Sequence, residues 1–100
     1  MALIALDKNK IVGYFIGIIK KAEDYRKFKK IAEAEDAYII SKYRRKGIGT
    51  LFLKEFLKWA RTKGVERAKA MISVQNKKSI AWHKKIGFKN YNLTLEKELK

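Results

Sequence analysis

Residues 43–52 read YRRKGIGTLF. Three cations run into Gly-Ile-Gly, and an apolar pattern of helical period begins at once: Ile48, Leu51, Phe52, Phe56, Trp59 and Ala60. That periodicity predicts a helix over Ile48 to Lys63, with Gly64 placed to end it. The first N–H groups of a helix have no intrahelical acceptor, and the helix dipole makes that end partly positive. Glycine lets the backbone approach a bulky anion closely. With Arg44, Arg45 and Lys46 beside them, Gly47, Ile48, Gly49 and Thr50 have the makings of a phosphate cradle. A turn that merely joins strand to helix, with solvated cations, uses the same residues. The spacing matches neither a P-loop nor a three-glycine dinucleotide fingerprint, since position 52 is Phe52.

Outward from this stretch, the chain reads as alternating short elements. Ala2 to Leu6 and Ile11 to Ile19 are apolar runs around a polar turn and predict a hairpin. Lys20 to Lys30 is charged and weakly periodic, a loop or short helix. Ala32 to Ile40 predicts a third strand, on which Glu33 and Glu35, two apart, share a face and Asp36 takes the other. After the long helix, Ala68 to Val74 predicts a strand. Asn76 can cap a helix over Lys77 to Ile86, which Gly87 closes. Phe88 to Leu99 alternates well enough for a last strand. The order is β-β-(loop)-β-α-β-α-β, an α/β domain with a mixed sheet occupying residues 1–100.

Composition sets bounds. There are 100 residues, 47% of them hydrophobic, as expected of one globular domain. No cysteine and one histidine leave no thiolate or histidine metal site to propose. No apolar run has the length of a membrane span, and no secretory leader is evident, so a cytoplasmic protein is expected. The net charge of +15 points to an anionic partner or to a lysine-rich solvated surface. Tyr14, Phe15, Tyr25, Phe28, Tyr38 and Tyr43 make a nucleic-acid-binding domain the competing reading from composition, by stacking and phosphate contact.

Arg44-x-x-Gly47-x-Gly49, after a strand ending Tyr38-Ile39-Ile40 and before an amphipathic helix, resembles the acetyl-CoA pyrophosphate loop of the GNAT N-acetyltransferases. Asn76, Ser79, Ile80-Ala81-Trp82-His83 and Gly87-Phe88 resemble that family's second motif. The resemblance covers roughly Ala2 to Phe88. It implies acetyl-CoA as cofactor and an amine as acceptor. It also implies direct transfer through a ternary complex, in which strand N–H groups steady the oxyanion, with no metal and no covalent enzyme intermediate.

By the same resemblance, Ile39, Ile40 and Ser41 would offer backbone groups to the pantetheine arm. Arg44 to Thr50 would take the pyrophosphate. Asn76 and Ser79 would line the cofactor. His83 stands where the family most often has the tyrosine that protonates the departing thiolate; a histidine can serve as that acid. It could equally be a packed residue between Ile80 and Ile86. Glu33 matches the position of the family's glutamate base, against the alternative of a solvated carboxylate. Relative to the family pattern the chain is truncated at its N-terminus, without the strand and helices that precede the first hairpin. The acceptor side is then open, completed by a second copy in a homodimer, or missing in a degenerate member that binds CoA without efficient turnover. A strongly cationic acceptor would fit a +15 protein only if Glu23, Asp24, Glu33, Glu35 and Asp36 formed an acidic patch.

Overall fold

The computed structural model describes residues 1–100. Four strands form one mixed sheet in the order β1-β2-β3-β4: β1 is Ala2–Asp7, β2 Lys10–Lys21, β3 Lys30–Ile39 and β4 Ala68–Ala70. The first three form an antiparallel meander, and β4 adds in parallel to β3. The β1–β2 turn is tight because Lys8 and Asn9 both take positive φ, 50° and 69°, as a primed hairpin turn demands. Between β3 and β4 runs α1, Ile48–Thr62, and after β4 comes α2, Lys77–Ile86.

The core lies between the sheet and α1. Phe15 and Ala32 from the sheet meet Phe52, Leu53, Phe56 and Ala60 from the helix, all buried. Phe52, Phe56 and Ala60 belong to the stripe expected from helical spacing, but Leu53 is buried in it where Leu51, expected there, is 63% exposed. Close approach is possible because Gly17 has no side chain: a Cβ there would lie 2.6 Å from Cδ1 of Phe56. The Phe56 ring fills that place and stacks, tilted, on Phe15 at 5.2 Å between centroids.

Three expectations need correction. The segment Phe88 to Leu99 forms no strand. Its alternating leucines have no neighbour to pair with or pack on; Leu93, Leu95 and Leu99 are exposed. The strand expected over Ala68 to Val74 is likewise only three residues long.

The third correction concerns the faces of β3. Ile16 pairs with Asp36, but Gly17 pairs with Ala34, so Glu35 is an extra, bulged residue. The bulge reverses the alternation beyond it. Glu33 and Asp36, opposite Ile18 and Ile16, therefore share a face, and Glu35 no longer follows the simple two-residue period. The side-chain contacts agree. Glu33 meets Lys20, and Asp36 accepts from Tyr14; Lys20 and Tyr14 are an even number of residues apart on β2.

Candidate functional site

The strand β3 ends at Ile39, and residues 40–47 turn the chain into α1. A short 3-10 turn, Ser41–Tyr43, comes first, with the Tyr43 N–H bonded to the Ile40 carbonyl. Arg45 takes φ 62° and Gly47 φ 89°. This pair of left-handed residues bends the backbone so that successive amides face outward around the helix start. The first helical hydrogen bond of α1 runs from Leu51 N–H to the Gly47 carbonyl. The amide N–H groups of residues 45–50 have no acceptor in the protein. Six adjacent unpartnered donors at a dipole-positive helix end, flanked by exposed Arg45 and Lys46, fit a pyrophosphate.

The walls of the cradle are fixed by packing. A Cβ at Gly47 would meet nothing within 4 Å, so that side is open. One at Gly49 would reach Ile39 at 3.6 Å and Trp82 at 3.8 Å. Arg44 does not project freely: its Nε donates to the Ile39 carbonyl at 2.8 Å, and its guanidinium stands 5.3 Å from the Tyr38 ring centre. Tyr43 donates to Asp7 Oδ2 at 2.6 Å, tying the loop to β1. That bond holds the Tyr43 phenol above its ordinary value of 10.0, with burial and the Asp7 charge adding to it. Thr50 is half-buried in the first turn.

Beside the cradle the sheet splays. β3 pairs with β4 only over Ala32, Ala34 and the residue between them. From Glu35 to Ile39, β3 has no strand on its β4 side. This open edge presents backbone donors and acceptors to anything extended that lies along it, as a partner strand would. A pantetheine arm leaving the cradle has that length and those amides. Ile40 and Ser41 lie beyond the strand, and their carbonyls are already taken by Tyr43 and Arg44 N–H groups. Of the three residues expected to serve the arm, only Ile39 belongs to the open edge.

α2 supplies the second set of residues. Asn76 caps it, its Oδ1 accepting from Ser79 N–H at 3.2 Å, which leaves the side-chain amide N–H groups free to donate. His83 is half-buried, with its ring edge-on to Trp82 at 4.9 Å and to Phe88 at 5.2 Å. Its Nδ1 lies 2.8 Å from the Ser79 carbonyl and 3.4 Å from Ser79 Oγ. A carbonyl only accepts, so Nδ1 carries a hydrogen, and proton exchange falls to Nε2. Trp82, not singled out from the sequence, joins the two motifs: it borders Gly49 in the cradle and His83 on its own helix. Only its size, next to His83, hinted at this.

Glu33 is 6% exposed. Its Oε1 lies 3.1 Å from Lys20 Nζ and 3.7 Å from Lys69 Nζ, ion pairs without hydrogen-bond alignment. The five acids do not make a free acidic patch. Glu23 pairs with Arg26 and Asp24 with Lys21, while Asp36 accepts from Tyr14. Phe15 lies in the core, Tyr43 is bonded to Asp7, and Tyr25 is bonded to Tyr91. No helix is long and apolar enough to cross a membrane.

Comparison with known proteins agrees with this geometry. No sequence among curated proteins matches the chain. Among solved structures, the aminoglycoside N-acetyltransferase AAC(6')-Iy in complex with CoA superimposes with a TM-score of 0.85 at 16% identity, over 99% of this chain and 75% of that one. An acetyl transferase from Pyrococcus furiosus gives 0.88 at 24% identity, over 98% and 64%. The aminoglycoside 6'-N-acetyltransferase AAC(6')-IG from Acinetobacter haemolyticus gives 0.78 at 19%, over 99% and 70%. The chain thus spans about two thirds to three quarters of the length of these proteins, and at such identities the likeness is one of fold. The family model for the acetyltransferase (GNAT) family matches residues 1–88, cradle, open edge and α2 included. This chain belongs to the GNAT family of acetyltransferases.

Proposed function

We propose that the chain moves an acetyl group from acetyl-CoA to a primary amine by direct transfer. The observation that carries this reading is the run of unpartnered amides at residues 45–50, set beside the open edge of β3. Arg45, Lys46, Gly47, Ile48, Gly49 and Thr50 hold the pyrophosphate, mostly by main-chain N–H groups. Arg44 braces the loop through Ile39. The open edge orients the arm, and Asn76 and Ser79 border it from α2. Acetyl-CoA supplies the activated acyl group.

His83, with Nδ1 committed to Ser79, gives a proton from Nε2 to the leaving thiolate. The strand amides next to the bulge steady negative charge on the thioester oxygen. Glu33 draws the proton from the amine through water, oriented by Lys20 and Lys69. A +15 chain favours an amine carrying little further positive charge over a polycation such as an aminoglycoside. The free edge of β1, where Ile4 and Leu6 are exposed, is the place for a second copy to pair.

Calorimetric titration of acetyl-CoA at near-physiological salt tests the cofactor site, because salt suppresses mere attraction of an anion to a cationic surface. One-site binding in the wild type, abolished in an Arg44→Ala, Gly49→Glu variant, is the expected result. Absence of saturable binding in the wild type sinks the proposal. Turnover of simple amines against polyamines then decides the acceptor class. Glu33→Gln should lower kcat where Glu35→Gln does not.

A further inference from the structure

The connection between β2 and β3 holds Arg26, Lys29 and Lys30, cations that acetyl transfer does not use. Arg26 lies there with its side chain only 12% exposed. Its guanidinium stands 3.8 Å from the Tyr91 ring centre and 4.7 Å from that of Phe28. Its Nε is buried and has no hydrogen-bond partner. The only carboxylate near it, that of Glu23, lies 3.8 Å away, too far for a hydrogen bond. Burying a guanidinium N–H unmatched is costly. Stacking on rings satisfies the faces of the group, not the N–H groups along its edge.

Arg26 is one of the residues that line a cavity of about 530 Å³ between the end of β2 and the start of β3. Five cations line it, Lys20, Lys21, Arg26, Lys29 and Lys30, against the carboxylates of Glu23 and Asp24. Both carboxylates are already paired, with Arg26 and Lys21. Lys29 and Lys30 have no acidic partner. With Glu33, which pairs with Lys20, counted beside Glu23 and Asp24, an excess of two positive charges remains, and it suits a compact oxyanion with two negative charges. The cavity lies at the far end of β3 from the cradle. Ten residues of strand separate them, about 30 Å at the rise of a β-strand.

We infer that the β2–β3 connection is a second anion site, which takes a phosphate dianion or a small phosphate monoester on Arg26, Lys29 and Lys30. Because Arg26 also carries the Tyr91 ring, and Tyr91 O–H donates to Tyr25 at 2.9 Å, an occupied site fastens the C-terminal segment to the loop.

The test is a titration with inorganic phosphate, followed by the Nε–H resonance of Arg26 in a nitrogen-edited spectrum. It is run on the Gly49→Glu protein, whose cradle is blocked, so that the outcome is independent of CoA binding. Saturable movement of that resonance is expected, with chloride at equal ionic strength leaving it in place. Lys29→Gln with Lys30→Gln should raise the half-saturating phosphate concentration about tenfold or more. These two side chains are exposed, so the folded state should survive the change. A resonance that moves equally with chloride, one that does not move with phosphate, or a double variant that binds as the parent does would each overturn the site.

Discussion

Nδ1 of His83 lies one helical turn from the Ser79 carbonyl, at 2.8 Å, so the imidazole is oriented by its own helix. A histidine held this way can release a proton only from Nε2, and only as the imidazolium. His83→Gln should therefore cut kcat by about 10²-fold, the low end of what an acid contributes. It should also abolish the limb of the pH–rate profile on which activity falls as pH rises. A packing role alone predicts a lower melting temperature with the limb intact. Steady-state rates across pH, alongside thermal melts, separate the two.

The two glycines of the cradle should respond oppositely to alanine. Gly47 sits at φ 89° with open space around it, so its cost is purely that of backbone strain, about 1–2 kcal/mol. Gly49 lies in α1 with only ordinary contacts awaiting a Cβ. Gly49→Ala should stabilise the fold by about 0.5 kcal/mol, through helix propensity. Urea midpoints of the two variants check both signs.

Gly17 faces the Phe56 ring across a gap that admits no methyl group. Gly17→Ala should cost about 1–3 kcal/mol by overpacking. In a Phe56→Leu background the penalty should shrink, since the smaller side chain vacates part of the space. A double-mutant cycle reads this as a coupling energy.

Tyr14 and Tyr43 each donate to a carboxylate, and those hydrogen bonds are the main cause of their raised pKa values. A raised folded value means the native state holds the proton more tightly than the unfolded chain. The stability gained is complete below the ordinary value of 10.0 and is lost as pH rises through the higher folded one. Stability should therefore fall at strongly alkaline pH. Asp7→Ala should bring the Tyr43 titration, followed by phenolate absorbance, down towards 10.0.

Much of the fold around the candidate site is legible in the sequence. Ile48, Phe52, Phe56 and Ala60 mark α1 because core contact imposes helical spacing, and Gly47 marks the cradle because only glycine takes its φ at no cost. Asn76 and Gly87 bracket α2 for equally local reasons. The bulge at Glu35 was not legible: an inserted residue leaves no trace in a run such as Glu33-Ala34-Glu35-Asp36, so the assignment of faces failed there. Phe88 to Leu99 misled for a related reason. Alternation reports what a strand would bury, not whether a neighbour exists to bury it. The orphaned Arg26 depends on contacts with Tyr91, 65 positions along the chain, which no local pattern encodes.

The short ladder between β3 and β4 also bears on how the protein assembles. β1, β2 and β3 are sequence neighbours joined by antiparallel pairing, so they can form with little loop-closure cost. β4 must cross over behind α1 and gains only three paired residues for it. The meander is then the early structure and the β4 clasp a late one. Substitutions in the clasp should accelerate unfolding while leaving the refolding rate nearly unchanged.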